Sequence, residues 1–309
     1  MTQKKILVTG ASGLLGANFV LFAASLNQPV VAVYHQHPLA LLGVIAVGAD
    51  LTEKQAVRQL VREHRPEWIV HCAAATSVEW CELHPEETFR RNRDASRFLA
   101  EAALETGAGM AYISTDAVFD GERGGYREQD PPSPQNIYAQ SKLAGEEAVQ
   151  EVLERHLIFR GTLFGWNMQP KYSLSEWFLN ALETGIPVSG FTDVIFSPLL
   201  VNDMSALIYA GIMRELTGCY HLGSASACDK FMFGRLIAEE FDLNPSLISP
   251  VSSETVLSRV KRSKNTSLNT EKTANALGCR MPSISEGIQQ FRHQRDTGYA
   301  ARLKRLGEG

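Results

Sequence analysis

Lys5-Ile6-Leu7-Val8-Thr9-Gly10-Ala11-Ser12-Gly13-Leu14-Leu15-Gly16 decides the fold. A β-branched apolar run leads straight into glycines spaced G-x-x-G-x-x-G, and an apolar helical stretch, residues 17–26, follows at once. That order of strand, tight turn and helix is the opening of a βαβ unit. Residues without a Cβ let backbone N–H groups approach an anion, and the helix N-terminus adds partial positive charge at the same point. Gly10, Ser12, Gly13, Leu14, Leu15 and Gly16 are therefore candidate contacts to a dinucleotide pyrophosphate. A turn that merely needs glycine conformations would look alike in isolation, so the weight rests on the setting between strand and helix.

Working outward, β-branched runs recur at residues 29–33, 67–71 and 109–114, and amphipathic helical stretches at 55–64 and 86–106 lie between them. Alternation of this kind predicts an α/β fold with a doubly wound, Rossmann-like parallel sheet buried on both faces. Residues 121–135, rich in Gly, Pro, acids and Ser, read as a long loop leading into a helix from about Asn136. After Gly165 the rhythm weakens to a helix near 173–184, short strands around Ile195 and Tyr220, and a helix over 230–241. The expected division is an NAD(P)-binding domain over 1–165 and a smaller C-terminal substrate-binding lobe over 166–309, with segments around 190–225 returning to the first domain. Residues 302–309 read as a frayed end.

The composition, 44% hydrophobic and 21% charged over 309 residues, is that of a globular enzyme. A formal charge of −4 supplies no global positive field for nucleic acid or an anionic membrane. Five scattered cysteines lack metal-binding or redox spacing and read as reduced thiols, with no metal expected. Lys4 and Lys5 precede an apolar stretch in the manner of a signal peptide, but the glycines interrupt it, and no apolar run reaches the roughly 20 residues that span a bilayer. The cytoplasm is the expected location.

About 20 residues beyond the glycine turn, a Rossmann-type site places an acid that holds an NAD ribose or a base that receives the 2′-phosphate of NADP. Here the strand ends in Tyr34-His35-Gln36-His37, without a carboxylate. Tyr34 and His35 are candidate adenosine contacts, and NADP is favoured over NAD because nothing repels a 2′-phosphate and a protonated histidine would assist it. Asp50 and Leu51, at another strand end, are candidate adenine contacts. A helix-capping role for Asp50 or Thr52 is the structural alternative.

Tyr138 and Lys142 stand four residues apart in Tyr138-Ala139-Gln140-Ser141-Lys142, and so share one helix face. A phenol is a weak acid-base group at neutral pH unless a neighbouring cation stabilises its phenolate, a role that falls to Lys142. Thr115 ends the apolar run 109–114, at the sheet edge where open α/β folds bind ligands, and its hydroxyl is suited to a carbonyl oxygen that gains negative charge.

In this order and spacing the chain resembles the extended short-chain dehydrogenases/reductases, and among them it is most similar to the dTDP-4-dehydrorhamnose reductases. The pieces that carry the likeness are Val8-Thr9-Gly10-Ala11-Ser12-Gly13, Cys72-Ala73-Ala74-Ala75-Thr76-Ser77-Val78-Glu79, Ser114-Thr115-Asp116-Ala117-Val118-Phe119-Asp120-Gly121, Tyr138 through Glu146, and Phe159-Arg160-Gly161-Thr162. The resemblance implies that Ala73, Ala74, Ala75 and Asn92 lie by the cofactor and that Thr76, Val78 and Asp116 join Thr115 and Tyr138 around a sugar substrate. It also implies reduction of a carbonyl on a nucleotide-linked sugar and a homodimer. Two departures stand out. Ala117 occupies a position that is tyrosine in rhamnose-type reductases and glutamate in the related dehydratases, and Trp166 is displaced from the place of their sugar-packing tryptophan. An epimerase and a non-catalytic, cofactor-binding regulatory subunit are the alternatives. Arg259, Lys261, Arg262 and Lys264 read as a solvated basic helix face, with a diphosphate contact as the functional alternative.

Overall fold

The computed structural model describes residues 3–255 and 260–308. Seven parallel strands form the main sheet: β1 (Ile6–Thr9), β2 (Val30–Tyr34), β3 (Val44–Gly48), β4 (Trp68–His71), β5 (Gly109–Ile113), β6 (His156–Gly161) and β7 (Gly218–Leu222). Their order is β7-β6-β5-β4-β1-β2-β3, so the winding direction reverses between β1 and β4. Ile6 pairs in register with Val30 on one side and Trp68 on the other, which sets Thr9 beside His71 at the reversal. Ligands of doubly wound sheets bind in the crevice beyond the carboxyl ends of those two strands.

The strands are apolar on both faces because both are covered. Ile6, Val8, Val30, Val70 and Phe159 belong to one core, while the alternate residues Leu7, Val31, Ile69, Met110 and Ile158 belong to the other. Seven principal helices are α1 (Leu14–Ser25), α2 (Lys54–His64), α3 (Ala95–Thr106), α4 (Ile137–Val152), α5 (Leu174–Glu183), α6 (Val201–Met213) and α7 (Lys230–Glu240). α1 packs on α6 over the first face, and α2, α3 and α4 pack side by side over the second. The first core runs on through Phe178, Phe233 and Phe291, so the helices beyond β6 share apolar packing with the sheet.

Four details depart from the sequence-based expectations. The stretch expected as one helix over 86–106 is built as Pro85–Phe89, a wide π turn at Arg90–Asp94, and α3. The expected frayed end is instead a helix, Tyr299–Arg305, because Leu303 and Leu306 are buried in the core and the Ala40 N–H donates to the Leu306 carbonyl at 2.8 Å. The basic stretch is not a helix where it is described. Lys261 donates to Gln135, Arg262 pairs with Glu79 and Lys264 with Glu254, while Arg259 lies outside the described residues. On the helix expected near 173–184, Trp177, Phe178 and Leu182 read as core residues, yet Trp177 is 40% exposed whereas Phe178 and Leu182 are buried. Among the described residues no helix is long and apolar enough to cross a membrane.

Candidate active site

At the reversal a cleft of about 630 Å³ is walled by the glycine turn on one side and by Thr115, Tyr138 and Lys142 on the other. That volume suits a small-molecule site. Gly10 adopts φ +62°, and a Cβ there would lie 2.7 Å from the Ala73 nitrogen; at Gly16 a Cβ would lie 2.1 Å from the Gly10 carbonyl oxygen. No larger residue fits either place, so the turn lies tight against the end of β4. Gly13 caps α1 without a side-chain bond, and the first turn carries no acid. Its N–H groups are therefore left for an anion from outside the helix. A cradle that excludes Cβ atoms, beneath an uncapped helix start, fits the diphosphate of a dinucleotide.

One element that holds this turn was not foreseen. His71, 1% exposed, bonds through Nδ1 to the Thr9 hydroxyl at 2.6 Å and through Nε2 to the Ser96 hydroxyl at 3.1 Å. Burial, with the Lys142 charge nearby, pulls its pKa down to about 3, so the ring stays neutral and ties β1 and β4 to α3.

Along the crevice a further hollow is lined by Tyr34, His35, Asp50, Leu51 and Ala73 to Ala75, residues that the sequence offers as cofactor contacts, together with Arg90 and Arg91, which no sequence rule indicated. Asp50 accepts from the Thr52 backbone N–H at 2.9 Å and from its hydroxyl at 2.8 Å, bonds that hold the carboxyl below its ordinary range. The N-cap of α2 is Glu53, so neither Asp50 nor Thr52 takes the capping place. Arg90 pairs with Glu53 at 2.9 Å, and Arg91 pairs with Glu87 at 2.7 Å.

The Asn136 side chain caps α4 by accepting from the Ala139 N–H at 2.9 Å, which starts the helix where Tyr138 and Lys142 face the cleft. Its amide also donates to the Lys261 carbonyl at 3.0 Å, anchoring the helix start to a distant segment. Tyr138 and Thr115 line the cleft together, and the threonine hydroxyl favours the ionised phenol. Burial pushes the phenol up to about 12, with the Asp116 charge adding to the rise. The Lys142 ammonium stands over the Tyr112 ring, 4.1 Å from its centroid. Lys142 is 3% exposed and burial pulls it down to about 7.

Three residues assigned to the cleft do not line it. Asn92 is buried, and its amide is spent on the Ala75 N–H (2.7 Å), the Ala75 carbonyl (3.0 Å) and the Ser141 hydroxyl (2.9 Å). It holds the alanine run against α4 rather than meeting a cofactor directly. Asp116 is turned inward, where it accepts from Thr266 at 2.6 Å and Thr115 at 3.2 Å, and burial raises its pKa. Val78 opens the short helix Val78–Leu83 away from the wall, whereas Thr76 does line it. Trp166 stacks on Phe291 with centroids 4.2 Å apart and donates to the Phe291 carbonyl, which fixes it in the core rather than against a sugar.

Asn167, Gln169, Lys171 and Tyr172, a loop without recognisable spacing, complete the wall opposite the glycine turn. The Gln169 amide donates to the Ser12 carbonyl at 2.9 Å, so this loop is fastened across the turn itself.

The sheet, the glycine cradle and the Thr115, Tyr138 and Lys142 edge define a protein of the extended short-chain dehydrogenase/reductase type. Residues 4–296 match the family model described as the RmlD substrate binding domain, and the chain belongs to that family. It is 30% identical over 286 residues to the "Probable low-salt glycan biosynthesis reductase Agl14" of Haloferax volcanii, an alignment covering 91% of this chain and 95% of that protein. It is 28% identical over 312 residues to methionine adenosyltransferase 2 subunit beta of Bos taurus, covering 94% of this chain and 88% of that one. The crystal structure of dTDP-4-dehydrorhamnose reductase from Bacillus anthracis in complex with NADP superposes with a TM-score of 0.83 at 29% identity, covering 95% of this chain and 100% of the other.

Proposed function

We propose that the protein is an NAD(P)H-dependent reductase of a carbonyl on a nucleotide-linked sugar, with residues 1–165 holding the cofactor and much of 166–309 the substrate. The observation that carries this reading is the shared cleft: Thr115, Tyr138 and Lys142 stand across from a glycine cradle sized for a diphosphate. When bound, a reduced nicotinamide supplies hydride. The Tyr138 phenol gives its proton to the substrate oxygen, the Thr115 hydroxyl donates a hydrogen bond to that oxygen as charge gathers on it, and the Lys142 ammonium offsets the negative charge left on the phenol. Gly10, Ser12, Gly13, Leu14, Leu15 and Gly16 hold the diphosphate, and Tyr34, His35, Asp50 and Leu51 the adenosine. NADP is favoured over NAD, because β2 ends without a carboxylate. The same reading expects a homodimer in the cytoplasm.

The test is NADPH oxidation followed by absorbance with a panel of dTDP- and UDP-linked 4-keto sugars. Turnover is expected with at least one, and NADH is expected to serve less well. The likeness to a methionine adenosyltransferase subunit favours a second reading, a cofactor-binding partner of another enzyme. Tight NADPH binding with no turnover across the panel would select it.

A further inference from the structure

Glu146 lies one helical turn beyond Lys142 on α4, fully buried and outside the cleft wall. Its carboxylate accepts from Arg160 Nε at 3.0 and 3.1 Å and from Nη2 at 2.6 Å. It also accepts a short bond from the hydroxyl of Ser114, the residue immediately before Thr115. One carboxylate thus joins β6, the end of β5 and the helix that carries Tyr138 and Lys142. As a stabilising device the pair is poor. Both partners are desolvated, and Arg160 Nη1 has no partner among the described residues. Buried pairs of this kind are often no better for stability than apolar residues of like volume.

The surroundings of Lys142 give the pair another role. From β4 it faces His71 and, just beyond, Cys72; from β5 the Tyr112 ring; along α4 Tyr138 and Glu146, with Arg160 of β6 behind the carboxylate. Burial keeps His71 neutral, pushes the Cys72 thiol up to about 12, raises Tyr112 and holds Tyr138 protonated. Asp116 acts on Tyr138 and not on Lys142. Near neutral pH this leaves Glu146 as the anion that opposes the burial of the lysine.

We propose that Glu146 is a positioning residue: clamped by Arg160, it keeps Lys142 an ammonium and fixes the strand end bearing Thr115 against α4. The inference rests on the reductase reading for its purpose, though not for its measurement. E146Q alone strands a buried guanidinium, so the decisive variant is E146Q/R160M, which removes both charges at similar volume. NADPH affinity followed by fluorescence across pH, and kcat across pH, are both expected to break where Lys142 loses its proton. In E146Q/R160M each break should move to lower pH by roughly one unit. A folded E146Q/R160M with wild-type breaks overturns the proposal, even if kcat falls uniformly. Should the double variant not fold, E146D carries the test. It keeps the charge and lengthens the reach to Ser114, so kcat should drop with the break unmoved, and a moved break overturns the idea. A wild-type protein that binds NADPH but reduces no carbonyl would sink the reductase reading alone, because the binding break remains readable.

Discussion

The cleft has two unlike sides. Along β4, β5 and α4 the polar groups are buried and answered: His71 by Thr9 and Ser96, Asn92 by Ala75 and Ser141, Glu146 by Arg160 and Ser114. At the rim of the crevice, Arg90, Arg91, Glu53 and Glu87 pair where water reaches them. Away from water a charge acts strongly on its neighbours and an unmatched polar group is costly, so the buried side tolerates little change. Exposed pairs are screened, and their arrangement contributes little to stability. Intolerance of change thus gathers on the buried side, and the rim is the side free to vary.

The largest effect should come from removing the proton donor. Tyr138→Phe is expected to lower kcat by about 10² to 10⁴ while NADPH still binds, as read by stopped-flow turnover and fluorescence titration. Unchanged turnover would break the contrast at its strongest point. Gly16→Ala comes next. The new methyl would lie 2.1 Å from the Gly10 carbonyl oxygen, so the turn must shift, costing roughly 1–3 kcal/mol and most of the NADPH affinity. Denaturant melts and a binding isotherm of the same sample test both halves.

Acid should act on the buried side first. His71 and, buried on β7, His221, held near 3 and 4 by burial, sit below their ordinary 6.5, so the unfolded chain binds more protons than the folded one between about pH 6.5 and 4. The stability that comes from keeping them neutral is whole above pH 6.5 and is lost as pH falls through that window. For two protons the slope is about 2.7 kcal/mol per pH unit, and the raised Asp116 opposes it. Urea unfolding at several pH values should show the decline, and His221→Asn should reduce its slope by about half. The smallest effect belongs to the rim. Arg90→Met should change stability by less than about 1 kcal/mol, and any loss of NADPH affinity should fade as salt is added. A large, salt-independent loss would mean that the rim is as intolerant of change as the buried edge.

What the sequence made legible follows the same division. The glycine turn and the Tyr138 and Lys142 pair could be read because their geometry is local: a strand-turn-helix junction and one helix face. That the Asn92 amide holds Ala75 and Ser141 could not be read from sequence, because these partners lie 17 and 49 residues away and no spacing encodes which of them takes the amide. Asp116 turns inward because of Thr266, 150 residues on, which sequence order cannot foretell. Glu146 and Arg160 both stood in the motifs that carried the family likeness, yet only the packed core shows that they meet.

The wide turn at Arg90–Asp94 bears on how this chain tolerates insertions and deletions. A π turn accommodates one residue more than an α turn, so excising a single residue there would regularise the helix with Thr88 and Phe89 still in phase with α3, whereas the same excision within α3 would swing them by about 100° relative to the rest of that helix. A scan of one-residue deletions across 85–106 should therefore show a sharp boundary in phase. Upstream of the turn Thr88 bonds to the carbonyls of Cys81 and His84, and downstream α3 packs on the second core, so both flanks hold their places while the turn between them absorbs the loss.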